Sequence, residues 1–311
     1  MAKGWYIFAF ICVIALSIGL PYWLVQRGLK KLTPEARKGL PGQFVQLSNG
    51  FTHFQWHGPE NGPVVVLVHG ATQSSYIWDN VVPFLTEAGL RVLRYDNFGR
   101  GYSDRPRVRY DLDLYDKQLV ELLDTLKVKT PISLVGFSQG GGITVTFAAR
   151  HPKLVKKMIL CAPVGFHVQL PFVAKLTRSP IIGDWMMTVF GKQVLLSQAG
   201  KHLNNKNMAK EICSKMAEQL KYKGYLPSLL SMLRNYPMHH MRYIYSQVAK
   251  YNIPTLLIWG DADCTVPFKH SEKILALMPT AKLEVIPGGN HTLIYEEAAK
   301  ACPAMVKFLL E

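Results

Sequence analysis

The chain has 311 residues, 49% of them hydrophobic, with 36 Lys and Arg against 21 Asp and Glu for a formal net charge of +15. That length and apolar content allow a large packed core and exclude a disordered or fibrous polypeptide. Five cysteines, Cys12, Cys161, Cys213, Cys264 and Cys302, are odd in number and include no C-x-x-C pair, which argues against a disulfide framework or a structural zinc site.

Residues 5–25 carry no charge, and as a helix such a run spans about 30 Å, the thickness of a bilayer's hydrocarbon core. Trp5 and Tyr6 bracket one end, Tyr22 and Trp23 the other, where amphipathic rings favour the two interfaces. The run exceeds the apolar region of a signal peptide, and no A-x-A cleavage site follows. The expectation is an uncleaved N-terminal transmembrane helix, within a membrane anchor and tether over residues 1–40. Arg27, Lys30, Lys31, Arg37 and Lys38 follow the run and only Lys3 precedes it, so the positive-inside rule places the remaining domain in the cytosol.

Residues 43–48 and 51–57 alternate around Asn49-Gly50, the signal of a hairpin. Residues 64–68, Val-Val-Val-Leu-Val, form the continuous apolar run of a strand buried on both faces. Further strands are expected at 91–95, 132–135, 157–160, 255–259 and 282–286. Helices are expected at 75–88, 114–126, 140–150, 268–277 and 296–310. Strand alternating with helix implies an α/β fold, a mostly parallel doubly wound sheet whose ligand site lies beyond the carboxyl ends of its strands.

Residues 164–245 interrupt that alternation with helical stretches broken by Pro and Gly. They are expected to form a helical lid inserted after the sixth strand, leaving 41–163 and 246–311 as the core. The lid has eleven bases against three acids, Asp184, Glu211 and Glu218, and apolar residues such as Phe166, Leu170, Phe172, Trp185 and Phe190. No nucleic-acid recognition motif accompanies the bases, which read instead as a membrane-facing or a solvated surface.

The chemistry centres on Gly136-Phe137-Ser138-Gln139-Gly140, a G-x-S-x-G pattern placed where a strand gives way to a helix. There it forms a sharp turn that lifts the Ser138 hydroxyl to the mouth of the sheet, beside the positive end of the following helix. A serine nucleophile needs a base, and the base an acid to orient it; on this architecture the chain order is Ser, Asp or Glu, His. The loop after residue 259 offers Asp261 and Asp263, and the loop after the last strand offers His291, which alone among ten histidines follows a terminal strand in a Gly-rich loop. The backbone amides of Gln139 and, in the loop His69-Gly70-Ala71-Thr72-Gln73, of Ala71 are the expected oxyanion donors.

With these stretches in view, the chain resembles an α/β-hydrolase of the capped, lipase or esterase kind over residues 43–311. The match rests on His69-Gly70 with Trp78, Asp96 to Ser103, Gly136 to Gly140, Trp259-Gly-Asp-Ala-Asp263 with Val266-Pro267, and Gly289-Asn-His291 with Glu296. The family pattern makes the fifth residue of W-G-x-x-D the acid, hence Asp263, with Asp261 as the alternative, and makes the Asp96 loop structural. Membrane-anchored monoacylglycerol lipase-like enzymes resemble the chain in anchor, lid and apolar content better than the shorter acyl-protein thioesterases do, although Gln139 departs from their usual methionine. The resemblance implies a serine hydrolase acting on acyl ester or lipid substrates, with no metal or organic cofactor. Thioesterase, amidase or carbon–carbon bond hydrolase chemistry on the same residues remains an alternative, as does a lipid-binding or scaffold protein without turnover. No oligomeric state is implied.

Overall fold

A single eight-stranded sheet organises the computed structural model, which describes residues 2–168, 175–201 and 203–311. A 26-residue helix, α1 (Ala2–Arg27), and a single turn, α2 (Pro34–Arg37), precede the hairpin β1 (Gln43–Leu47) and β2 (Gly50–His57). Then come β3 (Val64–Val68), α3 (Val82–Glu87), β4 (Arg91–Tyr95), α4 (Leu112–Thr125), β5 (Ile132–Phe137), α5 (Gln139–Arg150) and β6 (Val155–Cys161). Helices α6 (Ile182–Gln198), α7 (Lys206–Gln219), α8 (Tyr225–Asn235) and α9 (Arg242–Ala249) follow among the described residues. The chain closes with β7 (Thr255–Gly260), α10 (His270–Leu277), β8 (Lys282–Ile286), α11 (Leu293–Glu296) and α12 (Ala298–Leu310).

The strand order is β1-β2-β4-β3-β5-β6-β7-β8. Only the β1/β2 and β2/β4 pairs are antiparallel; the others are parallel. Because successive side chains of a strand point to opposite faces, β3 serves two cores at once. Val66 and Val68 join the layer containing α4 and α5, while Val65 and Leu67 join the layer containing α3 and α12. Helix α4 buries Leu119, Leu122 and Leu123 against the first layer, and Asp111 caps it by accepting from the amides of Asp113 and Leu114. The helix expected at 75–88 is instead a 3-10 turn, Ser75–Trp78, followed by α3. Pro83, in the first turn of α3, has no amide to extend a helix arriving from upstream.

The N-terminal expectation is corrected. Among the described residues no helix is long and apolar enough to cross a membrane. The single-pass anchor read from residues 5–25, and the cytosolic placement built on it, are therefore not supported. In the structure these residues lie in α1, which packs on α6. Trp185 Nε1 donates to the Ile18 carbonyl at 2.8 Å, and backbone bonds join Lys30 to Lys221 and to Lys223, each at 2.8 Å. Charge-free length alone did not reveal the contact at Ile18, although large apolar side chains of the run such as Trp5, Tyr6 and Phe10 remain exposed.

The described residues between β6 and β7 contain no strand, and Leu170 and Phe172 lie outside the described residues. All three acids of residues 164–245 are paired with local bases, Asp184 with Arg234, Glu211 with Lys215 and Glu218 with Lys221.

Candidate active site

Ser138 occupies the turn between β5 and α5 with φ 54° and ψ −116°, a conformation costly for any residue with a Cβ. It is held there from both sides: its amide donates to the Cys161 carbonyl at 2.9 Å, and its carbonyl accepts from Gly141 at 3.0 Å and Val164 at 3.1 Å. The turn closes because Gly140 has no side chain; a Cβ there would collide with the Val68 carbonyl oxygen. Gln139 is the first residue of α5, so its amide has no acceptor within the helix.

The loops after β7 and β8 meet equally closely. A Cβ on Gly260 would strike the Gly289 carbonyl, and the Ala262 amide donates to that same carbonyl at 3.1 Å. Trp259 Nε1 donates to the Val266 carbonyl at 3.0 Å, closing the turn that carries Asp263. Asp263 is buried; Oδ1 accepts from the amides of Thr265 (2.8 Å) and Val266 (2.9 Å), and Oδ2 accepts from His291 Nδ1 at 2.7 Å. With the proton on Nδ1, His291 Nε2 is left to accept from Ser138 Oγ, 3.1 Å away. Asp261 goes elsewhere: it is exposed, and its carboxylate accepts from the Gly288 amide at 2.7 Å. The structure thus brings Ser138, His291 and Asp263 into one chain of hydrogen bonds and leaves Asp261 as a clip between the two loops.

Ser138 and His291 open into a cavity of about 320 Å³ that is also lined by Ala71, Thr72, Leu195, Leu203, Met216 and Lys201. A larger cavity, about 580 Å³, lies at the amino ends of the strands around Trp56, Arg91 and Lys129, away from all three groups. Among the described residues no group of three or more His, Cys, Asp or Glu side chains could hold a metal ion.

A model of the alpha/beta hydrolase fold family matches residues 63–298. The chain belongs to that family. It is 26% identical over 270 residues to the 2-hydroxymuconate semialdehyde hydrolase of a Pseudomonas species, covering 82% of this chain and 89% of the relative. It is 22% identical over 315 residues to monoacylglycerol lipase abhd6-B of Xenopus laevis, covering 97% and 89%. Among solved structures, a bromoperoxidase from Bacillus anthracis superimposes with a TM-score of 0.72 at 25% identity, covering 86% of this chain and 99% of that one. The relatives thus share the α/β-hydrolase frame while differing in reaction.

Behind the site of this α/β-hydrolase, the Asp96 loop carries a buried charge network. Asp96 Oδ1 accepts from the Ser75 amide and Oδ2 from the Tyr102 amide and His53 Nδ1, each at 2.8 Å. The other nitrogen of His53 faces the Pro41 carbonyl at 2.7 Å. Two acceptors require two N–H donors, hence an imidazolium. Burial works against that charge, but the Asp96 carboxylate outweighs it and raises the His53 pKa; His53 in turn outweighs burial at Asp96 and lowers that carboxyl.

His69 is the opposite case. Its Nδ1 donates to the Gly70 carbonyl and its Nε2 accepts from the Asn97 amide, each at 2.8 Å. Full burial pushes its pKa from 6.5 down to about 4, against partial opposition from Asp96. The folded protein keeps His69 neutral, while an unfolded chain protonates it as pH falls through 6.5. Its contribution is therefore present above pH 6.5 and is lost as pH falls toward 4. The expected loss is about 1.4 kcal/mol per pH unit, or roughly 2 kcal/mol between pH 6.5 and 5. In that window the stabilisation from His53 is already complete, whereas buried His270, also pushed to about 4, adds a slope of the same sign. Melting curves from pH 6.5 to 5 should accordingly show a shallower decline in His69→Gln than in the wild type; parallel declines would refute the assignment.

Three residues outside the Ser138, His291 and Asp263 relay support its loops. Glu296 accepts from Asn290 Nδ2 and from the Asn205 amide, each at 2.8 Å, and so ties the His291 loop to the start of α7. Gln219 and Tyr225 reach the Ala71 loop from residues more than a hundred positions away. The family motif flagged Glu296, but neither Gln219 nor Tyr225.

Proposed function

We propose that this α/β-hydrolase is a serine hydrolase that cleaves carboxylic esters of monoacyl-lipid type through an acyl-enzyme. The observation that carries the reading is the relay from Ser138 Oγ to His291 at 3.1 Å and on to Asp263 at 2.7 Å, opening into a partly apolar cavity. In this reading His291 takes the Ser138 proton as Oγ attacks the carbonyl carbon, and Asp263 stabilises the imidazolium that forms. The carbonyl oxygen becomes an oxyanion and accepts from the Ala71 and Gln139 amides. The tetrahedral centre expels the alcohol, which leaves with the proton held by His291; water then attacks the acyl-enzyme by the same steps in reverse. Residues 164–245 act as the lid, and Leu195, Leu203 and Met216 receive the acyl chain. The likeness to the Xenopus lipase over 97% of the chain supports this substrate class.

A fluorophosphonate probe should label Ser138, and the wild type should be assayed on acetyl and longer-chain monoacyl esters, a thioester, an amide and a diketone for carbon–carbon cleavage. Since each buried methylene contributes about 0.8 kcal/mol, kcat/KM should be at least about 10-fold higher for the longer monoacyl esters than for acetyl esters. The likeness to the 2-hydroxymuconate semialdehyde hydrolase favours the diketone as the second reading. Preferential turnover of the diketone would replace the ester assignment with that one.

A further inference from the structure

Three consecutive carbonyls of the loop that carries the Ala71 amide are gripped by buried side chains. The Gly70 carbonyl, which shares a peptide plane with the Ala71 N–H, accepts from His69 Nδ1 at 2.8 Å. The Ala71 carbonyl accepts from Arg100 Nε, and the same guanidinium donates through Nη1 to Ser228 Oγ of α8 at 2.9 Å. The Thr72 carbonyl accepts twice, from Gln219 Nε2 at 2.9 Å and from the Tyr225 hydroxyl at 2.6 Å. Gln219 ends α7 and Tyr225 begins α8, and both are almost fully buried. Gln219 is itself fixed from the other end, its Oε1 accepting from the Gly101 amide at 3.0 Å.

A carbonyl oxygen has two lone pairs, so the Thr72 carbonyl is saturated by donors from the helical insertion alone. Rotation of the Thr72 peptide would break both bonds at once and pull on the adjoining planes, the last of which sets the direction of the Ala71 N–H. The core supplies His69 and Arg100; the insertion supplies Gln219, Tyr225 and, through Arg100, Ser228. If α7 and α8 move away from the sheet, the loop loses its outer grip.

We infer that Gln219 and Tyr225 are positioning residues for the Ala71 oxyanion donor, so that closure of the helical insertion and assembly of the oxyanion site are one event. The inference rests on the serine-hydrolase reading above and extends it. An insertion that only covered the cavity would need no bond to the Thr72 backbone. Here two buried polar side chains converge on a single carbonyl two residues after Gly70, next to Ser138.

The test uses the full chain with Tyr225→Phe, which removes one oxygen and keeps the ring, Gln219→Met, and the double variant. Complete loss of an oxyanion donor costs about 10²- to 10³-fold in kcat, and a misplacement of about 1 Å costs about 10²-fold. Each single variant should therefore lose about 10-fold in kcat, and the double variant about 10²-fold, with KM within about twofold of wild type. A trifluoromethyl ketone, whose adduct with Ser138 carries an oxyanion, should weaken in step with kcat. Wild-type kcat and ketone affinity in folded Tyr225→Phe overturn the inference even if Gln219→Met fails to fold. A loss confined to melting temperature or KM also overturns it, leaving Gln219 and Tyr225 as packing residues. A wild type that neither turns over an ester nor reacts with a fluorophosphonate overturns the proposed function, and this inference with it; wild-type turnover with unaffected variants removes the inference alone.

Discussion

Ser138→Ala and His291→Ala should each lower kcat by up to about 10⁶-fold, and the double variant should fall little further. The expectation comes from the 3.1 Å contact between Ser138 Oγ and His291 Nε2. Without the imidazole the hydroxyl cannot shed its proton as it attacks, and without the hydroxyl the imidazole has nothing to activate. Each deletion thus removes the whole nucleophile. Residual turnover would come from binding and the backbone amides of Ala71 and Gln139. Steady-state and single-turnover kinetics on one ester, with active-site titration to exclude wild-type contamination, provide the measurement. Losses that multiplied in the double variant would show two independent contributions and dismantle the relay.

The second large effect separates two aspartates only two residues apart. Asp263→Asn should cost about 10⁴-fold in kcat while leaving the fold intact. An asparagine can keep its oxygen toward the amides of Thr265 and Val266, which Asp263 Oδ1 serves at 2.8 and 2.9 Å. Its NH₂ then faces His291 Nδ1, which must give up its proton to accept; Nε2 becomes a donor, and Ser138 loses its base. Asp261→Asn keeps an oxygen for the Gly288 amide and touches neither Ser138 nor His291, so its kcat should stay within about threefold, a surface change of roughly 0.5 kcal/mol. If the Asp261 variant were the inactive one, the acid would have to be reassigned.

That pair of aspartates marks how far local pattern reaches. Both follow β7, both suit a loop, and only the family motif preferred Asp263 in the sequence; in space the 2.7 Å bond to His291 distinguishes it. The parallel strands were legible because a strand buried on both faces leaves a short unbroken apolar run, as Val64–Val68 does. The interruption of the helix after β3 was legible in principle from Pro83, which stands in the first turn of α3. The contact of α1 with α6 was not legible, because it is made through a backbone carbonyl, that of Ile18, while large apolar side chains of α1 such as Trp5, Tyr6 and Phe10 stay exposed. Gln219 and Tyr225 were invisible for a different reason: their partner is a backbone carbonyl, which every residue possesses, so no side-chain pattern announces the contact.

The backbone of Ser138, at φ 54° and ψ −116°, sets durability against reactivity at one position. Such a conformation costs on the order of 1–3 kcal/mol for any residue but glycine, an appreciable share of the 5–15 kcal/mol that separates a typical domain from its unfolded chain. A glycine at position 138 would relieve the strain and remove the hydroxyl in the same change. A selection that rewarded heat resistance alone would therefore favour deleting the proposed nucleophile. Engineering this α/β-hydrolase for robustness has to score turnover in every round, or its gains will be drawn first from the serine proposed to carry the reaction.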